Sequence, residues 1–499
     1  AVDTETSGLH FKRDYLIGFS IAMPGYKRYW DTRRNPEALD WLRDQTRYQP
    51  QILWVFFNAT FDMKFLAERD IHFPNVDDAA IRACLIDEHL GRNNYSLDAL
   101  GSRYLGQTKY TEIYDDLAAV FGGRATRNVQ MSNLWKADPE LVAPYAEDDA
   151  ELTFDLYQWQ ESEIERQGLQ QVAEFERRTL PLVYAQERAG VRVDLEVAEA
   201  QREKLGVVID RAKADLAEKA GFHLNVNSTP QIRDYFKPFE CANGWMLKCG
   251  IACKTTAKGN PSIDDEVLQK VATVDPVAAA IINIRSLIRT RDTFLGKHVI
   301  ASAYEGRVYP NINQVAGEKG GTKTSRFSYT APALQQIPNR NKEVAAIVKP
   351  CFLPDEGDSW VDGDLNSFEV RIFGHLVGAY NPHIAEVYRE APETDFHAWV
   401  AELMGVPRNP PAQRGPNAKQ LNLSMIFNSG NGAIAEQLGF DTTPDSFMDD
   451  EGKMVYYMKA SPEAMRVIDT YHSRVQGVKK LAAEAKRIVL KQGYLRTMY

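Results

Sequence analysis

With 499 residues and 44% hydrophobic content, the chain can bury several cores, enough for about three domains. A net charge of −9 argues against a protein that coats nucleic acid through overall charge, although a local basic cleft remains compatible with it. No run of about 18 apolar residues offers a membrane span, no secretory signal opens the chain, and an odd count of five cysteines argues against a disulfide framework. A reducing, cytoplasmic setting is expected. Cys241, Cys249 and Cys253 lack both a C-x-x-C pair and a neighbouring histidine, so ordinary packing is favoured over zinc.

Taken in chain order, the opening alternates strands and turns: Ala1–Asp3, Tyr15–Ala22 and Gln51–Phe57 read as strands with helices between and after them. That is an α/β layout through about residue 165. From about Glu174 to Lys297 the pattern predicts a long, charged, mostly helical arm with turn clusters at Asn225–Pro230 and Lys258–Ser262. Strand-like runs return from Gly306, among them Ser359–Asp364, and helices dominate from about His383. The chain opens midway through an apparent core strand and stops without a terminating pattern, so a fragment is expected.

Asp3-Thr4-Glu5 sets two carboxylates at i and i+2, on one face of a strand. Asp62 follows in Asn58-Ala59-Thr60-Phe61-Asp62, after an apolar strand. Tyr145 and Asp149, at i and i+4, share one helical face and are expected to open a helix. Phosphodiester hydrolysis needs a nucleophilic water near neutral pH and charge neutralisation at the leaving oxygen. Two Mg²⁺ or Mn²⁺ ions about 3.5 to 4 Å apart supply both, and hard oxygen ligands suit them. Singly, each acid reads as a surface or helix residue; the ordered set is specific. These three blocks resemble the motifs of the DEDDy 3′-5′ exonucleases, including the proofreading domain of DNA polymerase I. The resemblance implies a ribonuclease H-like exonuclease domain, metal ligands Asp3, Glu5, Asp62 and Asp149, and Tyr145 positioning the water. Ser96-Leu97-Asp98-Ala99-Leu100 through Gly106 is similar to the family's segment between the second and third motifs.

The remaining residues resemble a family A polymerase. Glu187–Asp194 is similar to the segment opening that domain, and Thr322–Ser328 with Pro332–Pro338 to its primer-binding palm motif. The resemblance implies that Arg326 and Gln335 contact the nascent duplex, with Ala333 standing where the family usually has Asn. Asp364–Arg371 resembles polymerase motif A. Asn366 three before Glu369 suits an N-cap and its partner, so a strand is expected to end at Asp364 and a helix to start at Glu369. By resemblance Asp364 would bind both Mg²⁺ ions with the Leu365 carbonyl, and Glu369 would exclude a 2′-hydroxyl. Lys419, Leu423 and Phe427 fall at i, i+4 and i+8, one stripe of a helix. That stripe reads either as the packing face of an amphipathic helix or, with His397 upstream, as the family's nucleotide-binding helix. In the second case Lys419 serves the triphosphate and leaving pyrophosphate, and Phe427 lies by the templating base. Leu423 stands where the family usually has Phe or Tyr, which implies altered dideoxynucleotide discrimination. Arg414 precedes Lys419 by five residues rather than the family's usual four, Gly415 taking the arginine position; Pro416 suits a first helical turn.

The organisation expected is residues 1–170 exonuclease, 171–305 thumb, 306–382 first part of the palm and 383–499 truncated fingers of a right-hand fold. The family's second palm aspartate sits in a His-Asp-Glu motif that the chain lacks; Asp449-Asp450-Glu451 reads as a solvated acidic turn. Only the exonuclease is then expected to be active. Expected partners are primer-template DNA, a single-stranded DNA 3′ end and deoxynucleoside triphosphates, with two Mg²⁺ or Mn²⁺ per site, in a monomer, in the host cytoplasm if the polymerase is viral. Two alternatives stand beside this: an RNA-trimming DEDDy nuclease, and a non-catalytic primer-template binding fragment with Arg285, Arg289, Arg291 and Lys297 as phosphate contacts.

Overall fold

The computed structural model describes every residue except 242, 243, 257, 340, 410–414, 449–451, 453 and 497–499. Two compact units, Ala1–Ser359 and Trp360–Tyr499, divide the chain, the boundary falling inside the expected palm. The architecture is mixed α/β.

In the first unit β1 (Val2–Thr6), β2 (Leu16–Met23) and β3 (Tyr26–Asp31) form an antiparallel sheet in that order, and β4 (Trp54–Phe56) pairs in parallel with β5 (Val76–Asp78). β2 is the central strand, which is why Leu16–Ala22 is an unbroken buried run. β3 was hidden from the sequence reading because Tyr26, Lys27 and Arg28 at its start are exposed. A 29-residue helix, Pro139–Gln167, crosses the sheet; Asp138 caps it by accepting from Glu140 N at 3.0 Å, and Gly168 ends it at φ 68°. Ser20 Oγ donates to Ala146 O at 2.7 Å and Tyr29 N to Glu147 Oε1 at 2.9 Å, pinning helix to sheet. Phe19, Phe56, Phe65, Leu66 and Leu156 fill one core beneath.

Helices Gln170–Ala189, Leu195–Ala220 and Pro276–Ile288 follow, the last widening into a π-helical stretch Arg289–Ile300. Within the arm, expected to be mostly helical, Phe239–Cys241, Gly244–Met246, Ala252–Thr255 and Pro261–Ser262 form a four-stranded antiparallel sheet that the sequence reading did not anticipate. Gly244 and Gly259, at φ 105° and 79°, turn strands too short to show a period. Cys241, Cys249 and Cys253 are free thiols. Arg285 is spent inside the fold, on Val226 O at 2.8 Å and on Asp265, and Arg291 pairs with Asp292.

The second unit packs helices Phe368–Val377, Pro382–Glu390, Phe396–Met404, Ala418–Ile426, Asn431–Leu438, Pro462–Arg474 and Val478–Gln492 with a hairpin, Thr442–Met448 and Met454–Ala460. Val370, Phe373, Phe396, Leu421 and Tyr471 lie in its core. Two expectations fail here. Ser359–Asp364 forms no strand: residues 355–366 are all exposed, Val361 at 91%, and among the described residues no strand lies beside them to satisfy their backbone groups. Nor does Asn366 cap a helix, because the helix starts after Ser367 in a left-handed turn at φ 52°, and Ser367 Oγ donates to Asn366 Oδ1 instead.

Candidate functional site

Two of the four acids, Asp3 and Glu5, stand on β1, and two helices carry the others, Asp62 and Asp149. Asp3 lies opposite Ser20 and Glu5 opposite Gly18, with a bulge immediately after Glu5. A Cβ at Gly18 would sit 2.3 Å from the Tyr29 hydroxyl, so any side chain there would have to displace that ring. Asn58 adopts φ 68°, ψ 55°, a left-handed conformation that asparagine tolerates, and Asp78 accepts from Asn58 N at 3.0 Å and Ala59 N at 2.8 Å. This aims the helix Ala59–Ala67 at β1, where Asp62 Oδ1 accepts from both Thr4 N, at 3.1 Å, and Thr4 Oγ1. Tyr145 and Asp149 come from the second and third turns of the Pro139–Gln167 helix rather than its opening, because Asp138 starts the helix earlier. Glu5, Asp62, Tyr145 and Asp149 are buried and Asp3 partly so.

Burial and mutual repulsion hold these acids toward their neutral forms. Asp3 lies well above the ordinary carboxylate range, by burial and then by the charges of Asp62, Asp149 and Glu5. Burial and Asp149 push Glu5 up to about 8. Burial pushes Asp62 up to about 7 against the Thr4 hydrogen bonds and the charge of Lys319. Asp149 is also raised by burial, against Lys109.

Lys109 is the residue that sequence reasoning missed. It pairs with Asp149, and its Nζ lies 5.2 Å from the Tyr145 ring centroid. Burial works against its charge, but Asp149, Asp3 and Glu5 outweigh burial and hold it above its ordinary value. Gln107-Thr108-Lys109-Tyr110 carries no period or motif that would have announced it. Asp78 was missed as well; it is raised to about 6 by burial while it organises the Asn58 turn.

The donor set fits hard divalent cations. All four acids offer carboxylate oxygens, and Asp149 Oδ1 is buried without a hydrogen-bond partner among the described residues. Among the described residues no three Asp, Glu, His or Cys side chains already converge as a metal cluster; Lys109 is drawn in beside Asp149 instead.

The polymerase-type residues divide between the units. Arg326 is exposed on the loop of the hairpin Asn311–Asn313/Ser328–Thr330, and Gln335 fastens that hairpin, donating to Phe327 O at 2.6 Å and accepting from Tyr329 N at 3.2 Å. In the second unit Asp364 and Leu365 stand exposed on the unpaired stretch. The helices carrying Glu369 and Lys419 share a core, yet no hydrogen bond or ion pair among the described residues joins Asp364 to Lys419. Lys419 and Phe427 are exposed and Leu423 half-buried, while Leu421, Asn422 and Met425 pack inward, so the stripe is the outward face rather than the packing face. Asn417 caps that helix, leaving Pro416 ahead of its first turn. His397 is buried with Nδ1 3.0 Å from Asn422 Nδ2, bracing the Lys419 helix from inside instead of presenting its ring to solvent. Arg414 and Asp449-Asp450-Glu451 lie outside the described residues.

Comparison with known proteins places this geometry in a family. Residues 1–165 match the 3′-5′ exonuclease family and residues 195–499 match DNA polymerase family A. The DNA polymerase DpoZ of Vibrio phage phiVC8 is 48% identical over all of this chain and 80% of its own length, and that of Salmonella phage PMBT28 is 41% identical over the same shares. The POL domain of Pol1 from M. smegmatis, solved with DNA primer-template and dNTP, superposes with a TM-score of 0.70 at 21% identity, over 100% of this chain and 76% of that one, a likeness of fold. The chain belongs to DNA polymerase family A and carries a 3′-5′ exonuclease domain ahead of its polymerase region. No described helix is long and apolar enough to cross a membrane.

Proposed function

We propose that Asp3, Glu5, Asp62 and Asp149 hold two divalent cations, Mg²⁺ or Mn²⁺, and that this site removes nucleotides from the 3′ end of single-stranded DNA. The observation that carries the reading is that one strand and two helices hold four acids together, three buried and Asp3 partly so, all with raised proton affinity. Such a cluster is poised to exchange protons for cations. The cations, when bound, supply a nucleophilic water and charge neutralisation at the leaving oxygen. The protein's own groups do the rest: Thr4 holds Asp62 in orientation, the Tyr145 hydroxyl would orient the attacking water, and Lys109, beside Asp149, offsets part of the charge of the acids that would hold the cations. Digestion of a 3′-labelled single-stranded DNA with Mg²⁺ or Mn²⁺, beside Asp62→Ala, tests this. Stepwise shortening lost in the variant supports the site; equal shortening by both refutes it.

For the polymerase region we propose that residues 171–305 act as thumb, 306–382 as part of the palm and 383–499 as fingers. They would receive primer-template DNA through Arg326 and Gln335, and a deoxynucleoside triphosphate on the outward Lys419, Leu423 and Phe427 stripe. Asp364 and the Leu365 carbonyl are the metal ligands of this reading, Glu369 its sugar sensor, and Arg414 its further phosphate contact. The phage relatives support a viral-type polymerase; we propose that it works as a monomer in the host cytoplasm.

A further inference from the structure

The four-acid site has a charge problem that the fold answers from an unexpected direction. A DNA 3′ end brings phosphates to a cluster of carboxylates, so cations on its approach must offset like-charge repulsion. Two nearby lysines are already committed: Lys109 to Asp149, and Lys64 to Glu187 at 2.8 Å. Lys319 is not; among the described residues it enters no ion pair, and its Nζ lies 5.1 Å from the ring centroid of Phe61, the residue before Asp62.

Lys319 belongs to the loop joining the hairpin strands Asn311–Asn313 and Ser328–Thr330, within the part of the chain matched as polymerase. The loop is a built lobe. Gln314 is buried and donates to Glu176 O at 2.8 Å, and Val315 packs into the exonuclease core. Gly317 N donates to Gly320 O at 2.8 Å, closing a tight turn with Lys319 at its tip. Gly321, at φ 90°, admits no side chain, because a Cβ would lie 2.0 Å from Val315 O. A cleft lined by Asn58, Thr60, Phe61, Asn313, Glu318 and Lys319 runs between lobe and exonuclease helix. The charge of Lys319 is also felt at the Asp62 carboxyl.

We propose that Lys319 is a substrate-positioning residue of the exonuclease, holding a backbone phosphate of the single-stranded 3′ end where it crosses the Phe61 ring. Resting on the four-acid site proposed above, this gives the hairpin lobe a second task in the neighbouring reaction. A cation held over an aromatic ring, 5.1 Å from its centroid, joins charge and a π surface, the combination that binds single strands without reading sequence.

The test compares the parent chain with Lys319→Gln and Lys319→Arg. Binding of a fluorescent single-stranded oligonucleotide is read in Ca²⁺, and digestion in Mg²⁺. Lys319→Gln should weaken binding and raise KM by about fivefold at low salt, leave kcat within about twofold, and reduce the slope of log affinity against log salt by about 0.7. Lys319→Arg should restore both. Hydrolysis of the p-nitrophenyl ester of thymidine 5′-monophosphate, which has no upstream phosphate, should not change. Unchanged affinity and salt slope in Lys319→Gln overturns the inference, as does equal loss on the small ester. Digestion indifferent to Asp62→Ala sinks the four-acid reading instead, while the Ca²⁺ binding arm still judges Lys319.

Discussion

Replacing Lys64 by methionine should destabilise the first unit out of proportion to the size of the change. Lys64 Nζ lies 2.8 Å from Glu187 Oε2 and donates to Asn311 Oδ1 at 3.0 Å, while the side chains of Lys64 and Glu187 are only 7% and 1% exposed. Glu187 also accepts from Ile312 N. Three segments distant in sequence therefore meet on one buried pair. Removing the ammonium leaves a carboxylate in a dry site, a loss of about 3 to 5 kcal/mol, whereas methionine fills most of the vacated volume. For a unit of this size, Ala1–Ser359, that lowers the melting temperature by roughly 4 to 7 °C. Adding Glu187→Gln removes the stranded charge and keeps an acceptor for Ile312 N, so the double variant should recover more than half of the loss. Scanning calorimetry of the parent, both single variants and the double variant gives the coupling directly. A Lys64→Met protein melting within about 1 °C of the parent would refute the buried-charge reasoning.

Three further outcomes follow. In EDTA the folded state binds protons at Glu5 and Asp62 more tightly than the unfolded chain, their values being about 8 and about 7 against ordinary values of 4.5 and 3.8. The stabilisation these two acids contribute is therefore whole below about pH 4 and is lost as pH rises toward 8, with Mn²⁺ offsetting the loss at pH 8; a Glu5→Gln, Asp62→Asn variant whose melting temperature, relative to the parent, does not rise between pH 5 and 8 in EDTA contradicts this. Asn422→Ala strands the buried His397 Nδ1 and should cost the second unit about 2 kcal/mol in a urea melt, without shifting the transition of the first. Gly18→Ala drives a methyl to 2.3 Å from the Tyr29 hydroxyl and should cost about 1 to 3 kcal/mol; a neutral result would mean that Tyr29 moves aside freely.

What could be read in the sequence was what local chemistry declares. Asp3 and Glu5 share a strand face whatever surrounds them, and Tyr145 and Asp149 share a helix face, so those shared faces were legible from spacing. The apolar run Leu16–Ala22 announced its strand for the same reason. Lys109 and Lys319 were not legible, because each is carried by a loop whose path is set by tertiary contacts, Tyr110 N on Asp148 Oδ2 in one case and Gln314 on Glu176 in the other. The Asn366 cap failed since a capping signature presumes a helix entered from extended backbone, and Ser367 enters it from the left-handed region. His397 was placed by motif on a substrate surface, but the packing of Asn422 beneath the Lys419 helix turned it inward.

The exposed stretch 355–366 carries one more implication. Asp364 is the acid on which the nucleotide site is proposed to turn, yet it stands on backbone held by neither helix nor sheet. A ligand borne on such a tether has direction only when something outside it imposes direction, so its register must be imported from whatever comes to rest against residues 359–364. If Asp364 serves the nucleotide site as proposed, its aim depends on such a contact, in contrast to Asp3, whose place is set by its own strand.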